Sequence, residues 1–306
     1  MISATEFDTG RQQLFGLAYR LLGVADEAND AVEDACLRWE QADRGSTAHP
    51  EAWLTKAVTQ RCLDRLGTTR ATRAHHLGAW LPAPVLTTAL GPLATAEQRD
   101  SVSLGLLGLL ENRTPHERAV FVLRNAFGYR YRAIAEILEL SPGNCRQLYH
   151  RTTQHFANRR PLCQPGRAER VRLAEQFLVA VRAGDVIGLG AILAQDVTVW
   201  ADGVRRVAIA PHPVVGRDHV ARYLAAAFRK IVAPVRFGFA EVNATTAILA
   251  AAEGKLLAVV APEIDENRIS GLRIVASPEK LLFVANGLSA RTGRMPVFDD
   301  ERGRRD

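Results

Sequence analysis

Two helix starts lie within thirty residues of each other, and they fix what residues 114–160 can become. Thr114-Pro115-His116-Glu117 is a capping box with proline at the first helical position, so a helix opens there. Its apolar stripe is Ala119, Val120, Val122 and Leu123, and Gly128 closes it. A short second helix over 132–138 turns Ile134, Ala135 and Leu138 one way, and Glu136 and Glu139 the other. Ser141-Pro142 opens a third, with the serine side chain available to the first-turn amides. On it Cys145, Leu148, Tyr149, Thr152 and Phe156 recur at helical spacing and are expected inside. Asn144, Arg146, Gln147, His150, Arg151, Gln154 and His155 are left outside. This pattern predicts a helix-turn-helix.

The third helix and its extension, 141–160, hold four arginines and no acid, whereas a solvated helix usually mixes both signs. Such a face suits phosphate. Arginine, glutamine and asparagine also carry the forked donors that match base edges in the major groove, where a recognition helix places its N-terminal half. A basic helix on the outside of an ordinary bundle is the other reading of the same residues.

A chain of 306 residues with 47% apolar content predicts two or three domains. The net charge of +6 points to an anionic partner, but its distribution says more. Residues 1–45 carry nine acids against four bases, 55–75 five bases against one acid, and 112–160 nine bases against three acids. Cys36, Cys62, Cys145 and Cys163 are too scattered for a disulfide framework or a zinc site, and no metal or other cofactor is predicted. With no apolar run of 18 residues and no leader before Phe7, a soluble cytoplasmic protein is expected.

In chain order, helices are predicted over 4–22 and 25–41. The second buries Ala28, Ala31, Ala35 and Trp39, and shows Asp26, Glu27, Asp30, Glu33 and Asp34 as an acidic stripe, either a solvated face or a docking surface. Pro50 opens a third helix with Trp53, Leu54, Ala57, Val58, Cys62 and Leu66 inside and Lys56, Thr59, Gln60, Arg61 and Arg65 outside, a second candidate nucleic-acid face. Prolines 82, 84 and 92 make 78–95 a linker, in which Trp80-Leu81-Pro82 lacks a core of its own and needs a partner surface.

After a break at 161–166 the pattern becomes mixed. Helices are predicted over 169–183 and 218–230, with a short one ending at Leu193, and strands over 235–242, 247–251, 256–260, 269–276 and 281–284, with breaks at Glu253-Gly254-Lys255 and Pro262-Glu263. This is an α+β cone, a curved sheet wrapped on helices. Residues 291–306 read as a mobile tail.

Together these stretches resemble an extracytoplasmic-function RNA polymerase sigma factor with a fused C-terminal SnoaL-like (NTF2-like) domain. The marks are Asp30-Ala31-Val32-Glu33-Asp34-Ala35 with Arg38-Trp39, Ala52-Trp53-Leu54-Thr55 with Cys62-Leu63-Asp64-Arg65-Leu66, Trp80-Leu81-Pro82-Ala83-Pro84, and Ala183-Gly184-Asp185 with Ala201-Asp202-Gly203 and Val214-Val215-Gly216-Arg217. The fold implied is multidomain: two all-α sigma regions, a helical bundle (1–75) and a helix-turn-helix (96–162), joined by a linker (76–95) and followed by the α+β cone (168–290). The resemblance assigns core polymerase binding to Asp30, Glu33, Asp34 and Arg38, the minus-10 element to Lys56, Gln60, Arg61 and Arg65, and the minus-35 element to Asn144, Arg146, Gln147, His150 and Arg151. It assigns regulation in cis to Trp80, Leu81, Pro82, Asp202, Arg205, Arg206 and Lys280. Core RNA polymerase and promoter DNA are the implied partners, with a small-molecule ligand of the cone as a further possibility.

The chain departs from the family pattern at Ala83, where the linker motif has glutamate, at Gly203-Val204-Arg205-Arg206, where a glycine-rich motif stands, and at Ser277-Pro278-Glu279-Lys280-Leu281, in place of Asn-Pro-Asp-Lys-Leu. A one-component DNA-binding transcription factor with a ligand-sensing cone is the alternative, but it has no need of an acidic second helix. A SnoaL-type cyclase or isomerase needs positioned titratable groups. No tyrosine follows Tyr223, and Asp202 and His212 are read as lying in a broken loop.

Overall fold

The fold is that of a computed structural model, which describes residues 4–42, 49–73, 80–156, 165–202, 212–229 and 234–292. By their contacts these residues form two units: Met1–His76 with Thr87–Pro161, and Leu77–Leu86 with Leu162–Asp306. The two helical regions expected as separate domains thus share one unit, and the expected linker divides between the two. Arg205, Arg206, Cys163 and most of the expected tail lie outside the described residues.

In the first unit, α1 (Ala4–Leu22), α2 (Ala25–Gln41) and α3 (Pro50–Arg73) pack through Leu17, Leu21, Ala28, Ala31, Val58 and Cys62, all buried. Alanines on α2 let the helices approach closely, and Trp39 meets Trp53 at 5.3 Å. A 3-10 turn, Thr87–Leu90, lies so close to α1 that a Cβ on Gly16 would stand 2.8 Å from the Leu90 carbonyl oxygen. Then follow α4 (Ala96–Asp100), α5 (Leu104–Leu110), α6 (Pro115–Asn125), α7 (Tyr131–Leu138) and α8 (Pro142–His155). The capping box is formed as predicted: Thr114 Oγ1 accepts from the Glu117 amide at 3.3 Å, and a Glu117 carboxylate oxygen accepts from the Thr114 amide at 3.0 Å.

Two buried arginines tie α1 to the elements after the linker. Arg20 donates from Nε to Ser101 Oγ at 2.8 Å and from Nη1 to the Gly16 carbonyl at 2.8 Å. Arg118 donates from Nε to the Arg20 carbonyl at 3.3 Å and pairs with Glu111 at 2.8 Å. Burial lowers the Arg20 pKa to about 10, with Tyr19 acting in the other direction.

The second unit holds a six-stranded sheet in the order β2-β1-β6-β5-β4-β3, antiparallel except for β1 beside β6. The strands are β1 (Leu193–Asp202), β2 (Val214–Val215), β3 (Arg236–Val242), β4 (Thr245–Ala252), β5 (Lys255–Asp265) and β6 (Arg268–Val275). Two-residue turns link β3 to β6, and both central residues of each have positive φ: Asn243-Ala244, Glu253-Gly254 and Glu266-Asn267. Such turns match the twist of the strands they join. Helices α9 (Arg167–Ala183), α10 (Val186–Ile192) and α11 (Arg217–Arg229) share an apolar core with the sheet, built on Leu173, Phe177, Leu189, Val220, Ile248 and Leu272.

Three expectations are corrected here. The strand predicted over 281–284 is instead part of α12 (Pro278–Thr292), where Leu281, Val284 and Leu288 line one buried face. A four-residue apolar run cannot by itself separate strand from helix. Pro262 does not break β5. The β4 pairing ends at Val260, so Pro262 needs no amide on that side, and it lies opposite Leu272 of β6. Asp202 is not in a loop but ends β1, buried. Among the described residues no helix is long and apolar enough to cross a membrane.

Candidate nucleic-acid interface

Helix α8 stands on an aromatic floor. Phe121 of α6 stacks on Tyr149 at 6.1 Å and meets the Phe156 ring edge-on at 5.3 Å, while Tyr131 of α7 meets Tyr149 at 6.0 Å. Ser141 caps the helix by accepting from the Asn144 amide at 3.1 Å, and Cys145 and Thr152 are buried beneath it. This leaves Asn144, Arg146, Gln147, His150 and Arg151 exposed together on one helix, with no acid among its residues. Glu117 lies near Arg151. Burial opposes its ionisation, but the bonds from Thr114 and the charges of Arg113 and Arg151 outweigh that and hold its carboxyl below the usual range.

The second predicted face is different. Lys56 pairs with Glu139 at 2.9 Å, and Gln60 donates to the Ile137 carbonyl at 2.8 Å, so both reach the end of α7. Arg61 pairs with Asp34 at 2.8 Å, and Arg65 bonds the Glu27 carbonyl at 3.0 Å and Asp30 at 3.4 Å. Thr59, expected outside, is fully buried and donates to the Thr55 carbonyl at 2.7 Å. The physical reason is charge complementarity: the acids of α2 are partly the counter-ions of the bases on α3. On α2, Asp30, Glu33 and Arg38 remain exposed and Asp34 is half-buried, while Glu33 is shared with Arg11 at 3.2 Å.

In the second unit, four of the predicted regulatory residues meet. Lys280 Nζ donates to the Leu81 carbonyl at 2.6 Å, forms an ion pair with Asp202 and lies 4.9 Å from the centre of the Trp80 ring. The Leu81 amide donates to Asp202 Oδ2 at 3.3 Å, and Pro82 is buried. Farther along, the Val85 amide donates to Asn243 Oδ1 at 2.9 Å, its carbonyl accepts from the Asn243 amide at 3.0 Å, and Leu86 bridges Val242. Sequence reasoning missed Asn243. The signal was an asparagine at a hairpin corner, with an amide able to serve a passing backbone.

These features agree with relationships to known proteins. Residues 7–72 match sigma-70 region 2, and residues 106–155 match sigma-70 region 4. The chain is 30% identical to the ECF RNA polymerase sigma factor SigJ of Mycobacterium tuberculosis, over 96% of this chain and 98% of that one. It is 28% identical to the probable ECF RNA polymerase sigma factor SigI of the same organism, over 89% and 92% respectively. The crystal structure of the M. tuberculosis SigJ protein superposes with a TM-score of 0.71 at 27% identity, covering 92% of this chain and 99% of that one. The chain therefore belongs to the extracytoplasmic-function sigma factors, which direct RNA polymerase to promoters, and it carries both sigma regions and a C-terminal α+β domain.

Proposed function

We propose that α8 reads the minus-35 element through Asn144, Arg146, Gln147, His150 and Arg151. The observation behind this reading is the exposed face itself, five polar or cationic side chains with no acid on the helix. Phosphate contacts would set the register, and forked side chains would reach base edges. Lys56, Gln60, Arg61 and Arg65 serve the minus-10 element only after exchanging their present partners on α7 and α2. Asp30, Glu33, Asp34 and Arg38 form the surface for core polymerase, and release of Asp30 and Asp34 from the α3 arginines would free acids for that contact. The α+β domain modulates this activity in cis by holding the segment between the two sigma regions.

Footprinting of the full chain with core polymerase tests the assignment. Arg146→Ala and Arg151→Ala are each expected to weaken minus-35 protection by about tenfold, the effect of one lost charged contact to DNA. Unchanged protection by both variants overturns it.

A further inference from the structure

The arginines of the two predicted DNA faces are held in two different ways. On α3 they are neutralised: Arg61 and Arg65 sit against carboxylates. In the helix-turn-helix two guanidinium groups lie over a single uncharged ring, Arg124 at 5.1 Å and Arg146 at 5.6 Å from the centre of Tyr131. Among the described residues, neither arginine forms an ion pair.

The difference matters chemically. A carboxylate fixes an arginine but consumes its charge and its donors, so an incoming phosphate has to displace it. A ring attracts the cation through its quadrupole and leaves the N–H groups free. Tyr131 is also well braced. It begins α7, its ring meets Tyr149 edge-on, and Tyr149 stacks on Phe121, so three helices set its position. Arg124 is fixed in turn by donation to the Tyr129 carbonyl at 3.0 Å. Two like charges over one ring repel each other, and a bound anion relieves that repulsion.

We propose that Tyr131 is a positioning residue for DNA binding: it holds Arg146 in a pre-set orientation with its charge available to the duplex. This rests on the reading of α8 as the minus-35 helix. Tyr131 has no contact role of its own in it, and its contribution passes through the guanidinium of Arg146.

The test is a double-mutant cycle on the full chain bound to core polymerase. The probe is a duplex that the wild-type holoenzyme selects from a library randomised at the minus-35 element. Tyr131→Ala is expected to weaken binding about threefold, the factor an exposed cation–ring contact supplies, and Tyr131→Phe, which keeps the ring, to stay within about 1.5-fold of wild type. In an Arg146→Ala background, Tyr131→Ala should add nothing. Thermal unfolding of each variant separates a binding loss from a folding loss, and the phenylalanine variant keeps the test open if alanine unfolds the motif. Equal losses from Tyr131→Ala in both backgrounds, or a phenylalanine variant as weak as alanine, overturn the proposal and leave the α8 assignment standing. An Arg146→Ala variant that binds like wild type overturns the proposal, and an equally silent Arg151→Ala variant overturns the α8 assignment with it.

Discussion

Arg118 shows what one side chain contributes here. Its side chain is 2% exposed and its partner Glu111 18%, and it also bonds the carbonyl of Arg20, itself buried. Removing one member of a buried pair strands the other without solvent or counter-ion. Arg118→Ala is therefore expected to cost about 3–5 kcal/mol in urea unfolding, while the double replacement Arg118→Met, Glu111→Leu recovers most of it. A loss below about 1 kcal/mol would show that the pair does not hold these helices together. Neither Arg20 nor Arg118 was singled out from the sequence. Arg20 lies in Leu17-Ala18-Tyr19-Arg20-Leu21-Leu22, apolar on every side of the helix, and that lack of a polar face was the available sign of burial. By contrast, the exposed residues of α8 were legible, because a helix resting on one aromatic seam has a clear outside.

Among the elements, those with a proline or serine start were the easiest to read. The openings at Thr114-Pro115 and Ser141-Pro142 and the bounds of α2 fall where the sequence predicts. Ser277-Pro278 carries the same kind of start, but the apolar run behind it suggests a strand. Buried Leu281, Val284 and Leu288 follow at helical intervals, each such side chain contributing about 1.5–3 kcal/mol on burial. The face of α3 is less legible for another reason: periodicity shows which residues share a side, but not whether another helix brings opposite charges to it. At this scale Ser141→Ala is expected to cost about 1 kcal/mol, the worth of one N-cap, and to fray the first turn of α8. Its effect should appear as faster amide exchange at Asn144, whose N–H loses its acceptor. Unaltered exchange there would mean that the cap does not hold that turn.

At the scale of the whole molecule, the sequence order and the contact order disagree. Leu77–Leu86 lies between the two sigma regions in the chain, yet belongs by contact to the C-terminal unit. Lys280 is the centre of that attachment, through Leu81, Asp202 and Trp80. Lys280→Met keeps the apolar stem and removes the donor. If the attachment restrains the sigma regions, basal transcription by the reconstituted holoenzyme should rise about tenfold, the factor set by one charge-assisted bond. Equal transcription by wild type and variant would remove the cis-regulatory proposal without touching DNA recognition.

The pairing of Val85 with Asn243 gives this attachment a mechanical meaning. While docked, the seven residues 80–86 are a clasp of fixed length. Undocked, the same seven residues become a leash that can span about 25 Å. On the proposed cis-regulatory reading, whatever loosens this clasp lengthens the tether between the two sigma regions.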